Sequence, residues 1–308
     1  MINIITSYIE EKAFFKASKD IKRTLKENNK INKILFLVPE QFTVEAERML
    51  TDKLTAKGLI DIEVLSIKRL SNRILTKTKS EVPKTLDESG KSMVLSFILN
   101  ELKEELICFN RLTNNASFNE NVCELFSELK KNNVTGEDLS PDKFLDEENN
   151  NNFLYKKTHD IHKIYERYNN FLGTDFWDAD DLTFHASQNL DKARFLDNSE
   201  IYYFGFESFD KNIYSLIEAI SKREINQTFL FTAKNDIKSS PAYKIVENTI
   251  YKLHKLADKC NEEFNIQTQN EEEKEKDLKF LADNIFSYDT KEYKDKVTNI
   301  EIFKASSL

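Results

Sequence analysis

The first residues able to carry chemistry lie in the turn TSYIEEKA, Thr6–Ala13, where a short apolar run gives way to a helical pattern. Laying the phosphate-loop pattern GxxxxGK[ST] over it puts Thr6 and Glu11 at the two glycines, Lys12 at the lysine and Ala13 at the Mg²⁺-binding hydroxyl. A Cβ at Thr6 hinders close backbone approach, Glu10 and Glu11 repel a triphosphate, and Ala13 has no atom to offer a metal. Lys12 alone then reads as a solvated helical lysine. The complementary half of such a site is a strand ending in an acidic residue that holds Mg²⁺ and orients water. The matching run, Ile201–Phe204, ends in Phe204-Gly205-Phe206, with Glu207 only beyond the glycine. Both halves of an ATP site are missing together.

Two other stretches place hydrogen-bonding and cationic groups where apolar runs end. In KILFLVPEQFTVEAERML (Lys33–Leu50), Gln41 and Thr43 follow Val38-Pro39. In EVLSIKRLSNRIL (Glu63–Leu75), Ser66, Lys68, Arg69 and Arg73 follow the strand-like run. Ligands of open α/β sheets bind at the carboxyl ends of the strands. Either stretch alone reads as a loop with caps and charges, but two on one edge suit an extended anionic ligand. The helix after the first turn adds a row of cations, Lys12, Lys16, Lys19, Arg23 and Lys26, beside an apolar stripe of Ile9, Ala13, Ala17, Ile21 and Leu25. It offers either phosphate contacts or an ordinary solvated face, and the latter is favoured.

The acidic run DFWDADDLTFHA carries Asp175, Asp178, Asp180 and Asp181 beside Trp177. Clustered carboxylates bind Mg²⁺ in nucleases, yet an acidic loop with Asp181 capping the following helix explains them better. His159 and His162 share a helical face, but with no third ligand nearby they read as surface or packing histidines.

The elements that must position these residues are short apolar runs typical of buried parallel strands: Ile2–Ile5, Ile34–Val38, Ile62–Leu65, Ile201–Phe204, Thr228–Phe231 and Ile300–Phe303. Helical patterns separate the first three. Between Leu65 and Ile201 the strand signal vanishes. Ser89–Leu106 carries Met93, Phe97, Leu99 and Leu102 at helical spacing, Cys123–Leu129 continues the type, and Phe153–Leu172 sets Leu154, Ile161, Tyr165, Tyr168 and Leu172 on one stripe. Asn114–Asn115 and Asp146–Asn152 read as loops. Glu262–Lys279, with Glu271–Glu273 at its centre, reads as a solvated helix or mobile loop. The architecture expected is a parallel α/β domain, residues 1–82 with 191–308, interrupted by a helical subdomain at 83–190.

The 308 residues carry 53 acidic and 45 basic side chains, a net charge of −8, so general attraction to nucleic acid is absent and any such contact must come from local patches. Five glycines are few for a protein that cradles phosphates on its backbone. Cys108, Cys123 and Cys260 are too few and too scattered for a disulfide framework or a four-cysteine metal site. No stretch approaches the ~20 apolar residues of a membrane span. With neither a basic leader nor a cleavage site after Met1, a cytoplasmic setting is expected. A strand at Ile300–Phe303 followed at once by the chain end suggests the N-terminal piece of a longer protein.

In order and spacing these segments resemble the N-terminal region of the AddB family, the B-subunits of bacterial AddAB helicase–nucleases (RexB in some lineages). Leu37-Val38-Pro39-Glu40-Gln41-Phe42-Thr43 with Glu45 and Glu47 carries the resemblance first, followed by Val64-Leu65-Ser66-Ile67-Lys68-Arg69-Leu70 and Asp87-Glu88-Ser89-Gly90-Lys91-Ser92-Met93. Asp180-Asp181-Leu182-Thr183, Gly205-Phe206 with Phe209, and Ile300–Ser306 extend it. The resemblance implies a P-loop NTPase-like parallel sheet of the superfamily 1 helicase-core type with an inserted all-helical subdomain. It places Pro39–Thr43 and Ser66–Arg73 where related helicases contact the single-stranded DNA backbone. The implied partners are an AddA-like motor subunit, in a heterodimer that resects double-strand breaks for recombinational repair, and single- and double-stranded DNA. The family's iron–sulfur nuclease lies C-terminally, and its cysteine set is absent from this chain. Many relatives keep a phosphate loop at Thr6–Ala13 and an acidic residue at Phe204, so the expectation here is a domain without ATPase or nuclease chemistry that guides DNA and docks the motor. No cofactor is expected. ATP and Mg²⁺ belong only to an alternative, an active ATPase with a divergent site around Lys12; a protein-interaction scaffold without DNA contact is the third possibility.

Overall fold

The structure, a computed structural model, describes residues 1–7, 9–27, 33–54, 61–79, 81–144, 153–173, 175–233, 241–269, 275–285 and 291–304. In chain order its elements are β1 (Ile2–Ser7), α1 (Glu10–Glu27), β2 (Lys33–Leu37), α2 (Thr43–Lys53), β3 (Ile62–Leu65), α3 (Ile67–Thr78), β4 (Lys84–Leu86), α4 (Glu88–Glu101) and α5 (Ala116–Lys131). They continue as α6 (Phe153–Leu172), β5 (Phe176–Asp178), α7 (Leu182–Gln188), β6 (Ser199–Tyr203), α8 (Lys211–Ser221), β7 (Asn226–Thr232), α9 (Lys244–Cys260), β8 (Phe264–Thr268) and α10 (Lys276–Asn284). Two compact units share them: Met1–Ser66, Phe195–Phe209 and Ser221–Leu308 make the first, and Ile67–Arg194 with Asp210–Ile220 the second.

The first unit is built on a six-stranded sheet in the order β3-β2-β6-β7-β1-β8, every neighbouring pair parallel. This mainly parallel α/β sheet is consistent with a phosphate-loop-type fold. Its inner strands are apolar on both faces, as parallel strands covered on both sides must be. On one face Ile34, Phe36 and Val38 of the β2 region meet Ala13, Ala17 and Ile21 of α1 and Ala46 and Leu50 of α2 in a single buried cluster. Alanines at i and i+4 let α1 lie close to the strands. Ile2 and Ile4, fully buried, point to the opposite face.

The sheet departs from expectation at its far edge. Ile300–Phe303 forms no strand, and Ile302 is 92% exposed. The strand beside β1 is instead β8, within the segment read as a solvated helix or loop; Ile2↔Phe264 through Thr6↔Thr268 are in register. FNIQT hides its strand character because an edge strand buries little and tolerates polar residues. Of that segment, Glu271–Glu273 lies outside the described residues, as does the whole of the expected loop Asp146–Asn152.

The second unit is helical except for β4 and β5, a short parallel pair. Its core gathers Leu95, Ile98, Leu99 and Leu102 with Phe126, Ile164, Tyr165 and Tyr168. α6 spans the expected Phe153–Leu172 and α4 starts at Glu88 beside the expected Ser89, but α5 begins at Ala116, ahead of the expected Cys123. Of the α4 stripe Leu99 and Leu102 are buried as expected, whereas Met93 is 74% exposed and Phe97 also faces outward. Asp87 caps α4 by accepting from the Gly90 amide at 2.7 Å, and Asn115 caps α5 from the Phe118 amide at 3.0 Å. Asp160, wholly buried, accepts from the amides of Ile107, Cys108 and Phe109 and so fixes the turn before α5. Its neighbour His159 lies 3.2 Å from the same carboxylate, and His162 faces Glu166, so both histidines serve packing and local pairing.

Candidate functional site at the carboxyl edge of the sheet

β1 passes almost directly into α1. Only two residues separate Ser7, the last of the strand, from Glu10, the first of the helix, and the Ser7 hydroxyl accepts the Ile9 amide at 3.2 Å. Thr6 lies within the strand, paired with Phe231 and Thr268, and its buried hydroxyl donates to Thr268 Oγ1 at 3.1 Å. Among the described residues the Ile9 amide is already taken by Ser7, and the Lys12 and Ala13 amides by the Ile9 carbonyl. Ala13 is 1% exposed and Phe204 6%; both belong to the apolar cluster of Phe14, whose ring centroid lies 5.2 Å from that of Phe204. Hydrocarbon thus occupies the two positions at which the phosphate-loop pattern would call for a hydroxyl and an acidic strand end. Glu11 is exposed and Lys12 half-buried.

Two clefts open at this edge, of about 490 and 420 Å³, and both are bounded by Glu10, Phe42 and Phe204. The larger continues between α1 and α2, past Glu11, Lys12, Glu45 and Arg48. The smaller runs along Gly205, Phe206 and Glu207 to the end of β7 at Thr232. Gly205 has φ +78°, and a Cβ there would stand 3.3 Å from Pro39 Cδ, so only glycine turns the chain here. Partial desolvation, then the neighbouring carboxylates of Glu45 and Glu11, raise the Glu10 carboxyl above its ordinary value.

The other expected contact residues divide between the units. Gln41 is exposed in the 3₁₀ turn Glu40–Phe42 at the end of β2. Thr43 begins α2 nearly buried, its hydroxyl donating to the Glu40 carbonyl at 3.1 Å. Ser66 follows β3, whose end adjoins that of β2 through the Val38 amide on the Leu65 carbonyl, and it is buried. Lys68 and Arg69 are exposed on the first turn of α3, in the second unit, with Arg73 one turn further and partly covered. On α1, Lys16 pairs with Asp20 and Lys19 lies 4.3 Å over the Phe15 ring.

The acidic run is not the solvated loop expected. Asp178 is buried, with Lys91 Nζ at 3.1 Å and the Tyr168 hydroxyl donating at 2.8 Å. Lys91 also reaches Asp180 at 3.2 Å and donates to Ser127 at 2.6 Å, and Lys130 pairs with Asp181. Asn212 on α8 donates to the Lys130 and Asp180 carbonyls. Asp181 makes no capping bond; Asp178 accepts the Asp180 amide instead. Lysines occupy the space between these carboxylates, and among the described residues no group of three His, Cys, Asp or Glu is arranged to hold a metal ion. Burial alone would lower the Lys91 pKa, but Asp178 and Asp180 outweigh it and raise it. Burial would raise that of Asp178, and Lys91 and Lys130 hold it down instead. Both groups stay charged. One signal announced this site: Lys91 stands at helical spacing on the stripe of Leu95, Ile98 and Leu102, where a lysine requires a buried anion.

An open parallel sheet with an aromatic, acid-rimmed carboxyl edge and a helical second unit defines an α/β protein of the kind that carries ligands at strand ends. More particularly, the chain belongs to the AddB N-terminal family, whose model, described as "ADDB, N-terminal", matches residues 13–282. It is 31% identical over 299 residues to the B-subunit of the ATP-dependent helicase/deoxyribonuclease of Alkaliphilus metalliredigens, covering 95% of this chain and 26% of the relative. The B-subunits of the same enzyme in Alkaliphilus oremlandii (28% over 297 residues; 94% and 26%) and Clostridium acetobutylicum (30% over 285 residues; 89% and 24%) are similar to it in the same way. The chain spans about a quarter of the length of these curated relatives. No helix among the described residues is long and apolar enough to cross a membrane.

Proposed function

We propose that this chain is a helicase-like domain without nucleotide chemistry, which guides DNA and docks the motor subunit in a helicase–nuclease that resects double-strand breaks. The observation that carries it is the conversion of the nucleotide edge to hydrocarbon: Ala13 and Phe204 lie in one buried cluster with Phe14. The two-residue passage from β1 to α1 supports it, being shorter than the loop that wraps a phosphate. Electrostatics add no attraction, since the carboxylates of Glu10, Glu11, Glu45 and Asp52 offset the cations Lys12, Arg48 and Lys53 along the cleft a triphosphate would enter.

DNA contact in this reading comes from Gln41 at the end of β2 and, in the other unit, from Lys68, Arg69 and Arg73 on α3, with Thr43 and Ser66 shaping the strand ends. Cations on one helix face match a phosphate backbone despite the chain's net charge of −8. The longer relatives are named as one subunit of a helicase/deoxyribonuclease, which supports a partner subunit. The decisive experiment is calorimetric titration of the 308-residue chain with ATP and Mg²⁺. No saturable heat is expected, and tight Mg²⁺-dependent binding would sink the reading.

A further inference from the structure

We propose that the cleft bounded by Glu10, Phe42 and Phe204 accepts an arginine side chain presented by a protein partner. The inference rests on the preceding reading that no nucleotide fills this edge, and it names what does.

The smaller cleft is lined by two carboxylates, Glu10 and Glu207, and by the aromatic rings of Phe42, Phe204 and Phe206, with no cationic side chain among the described residues of its lining. Aromatic faces attract a cation through their quadrupole, and carboxylates at the rim add directional acceptors. A guanidinium answers both demands, because it stacks flat on a ring and presents N–H groups in its plane. Desolvation and the carboxylates of Glu45 and Glu11 already leave Glu10 reluctant to ionise, so a cation placed there meets unspent negative potential. An anionic strand would meet the opposite effect. Its backbone would run past the carboxylates of Glu10 and Glu207 in the smaller cleft.

A protein rather than a free amine is the fitting source. Phe42, which bounds both clefts, is 42% exposed and Phe206 is partly exposed, so apolar rings flank the charged pocket in water. A small cation would leave them wet. A protein surface around an arginine anchor covers them, which is the common anatomy of an interface centre.

The 308-residue chain is titrated, by saturation-transfer NMR, with a capped tripeptide bearing a central arginine and with its neutral citrulline counterpart. The arginine peptide is expected to bind and the citrulline peptide not to. Glu10→Gln with Glu207→Gln, and separately Phe42→Ala, each weaken binding about tenfold or more, the scale of one desolvated cation contact. These are surface changes, and unaltered circular dichroism verifies the fold. Equal binding of the two peptides, or none by either, overturns the proposal while leaving the nucleotide-free reading intact. Displacement of the peptide by oligothymidylate, with binding of that strand lost in Phe42→Ala, overturns it in favour of base stacking. Displacement by ATP with Mg²⁺ overturns both.

Discussion

The Lys91 ammonium lies 3.1 Å from the Asp178 carboxylate, and each side chain is only 2% exposed. One comes from α4 and the other from the end of β5, so the pair ties the helix to the small sheet of the second unit. Tyr168, Ser127 and Asp180 supply the remaining hydrogen bonds that buried charges require.

Removing one partner leaves the other buried and unpaired. Lys91→Met is expected to destabilise the second unit by about 3–5 kcal/mol, read from urea unfolding followed at Trp177. Lys91→Met with Asp178→Asn recovers part of the loss. The pH dependence follows from the depressed Asp178 pKa: its contribution is complete above the unfolded carboxyl value and fades as pH falls through the lower folded value. The variant therefore unfolds less steeply with acid. Equal acid sensitivity in both proteins would contradict the assignment.

The cations of α3 give a prediction in salt rather than in affinity alone. Each phosphate contact to a single strand contributes about 0.7 to the slope of log K against log salt. Lys68→Ala, Arg69→Ala and Arg73→Ala together are expected to lower the slope for oligothymidylate by about 2. Gln41→Ala, a neutral change, weakens binding with the slope unaltered. Anisotropy titrations across a salt series measure both, and a slope unmoved by the triple variant removes α3 from the interface.

Restoring the phosphate-loop residues is expected not to restore the site. Thr6→Gly, Glu11→Gly and Ala13→Thr in one chain give no Mg²⁺–ATP binding, because strand and helix remain two residues apart. Ala13→Thr alone inserts atoms against Phe14 and Phe204 and costs about 1–3 kcal/mol by overpacking. Thermal unfolding and nucleotide calorimetry read the two effects separately.

What was legible in the sequence follows from burial. The apolar runs of β1, β2, β6 and β7 declared themselves because inner strands covered on both faces are continuous in hydrophobicity, and the edge strand β3 did so through Ile62, Val64 and Leu65. β8 did not, since its side chains are largely exposed and its membership lies in backbone bonds to β1, such as the Ile2 amide on the Glu263 carbonyl. On α4 half of the expected stripe is buried, Leu99 and Leu102, but Met93 and Phe97 are large and apolar and face out, while Lys91 faces in. Hydrophobicity cannot distinguish those cases when a buried lysine finds its anion in a distant part of the chain. That Ala13 and Phe204 are apolar was legible residue by residue, whereas their place in one buried cluster was not. Phe42 stands out only as part of a longer motif, because an aromatic bounding a cleft looks in sequence like any other.

The only tryptophan of the chain reports on a single histidine. Trp177 and His185 are stacked, with ring centroids 4.0 Å apart and planes 12° from parallel, and Lys79 Nζ lies 4.3 Å from the indole ring. Burial lowers the His185 pKa below 6.5; Asp181 works against that, while Lys79 and Lys130 reinforce it. The imidazole is therefore neutral at pH 7 and becomes a cation against the indole only on acidification. Indole emission is expected to hold steady above pH 7 and to be quenched in one step whose midpoint lies below 6.5. Because the unfolded chain takes up this proton first, stability declines as pH drops from 6.5 through the folded midpoint and then levels. His185→Phe keeps a ring on the indole and removes the step in emission. A step that survives in that variant, or a midpoint above 6.5, would show that the quenching group is another residue or that His185 is solvated.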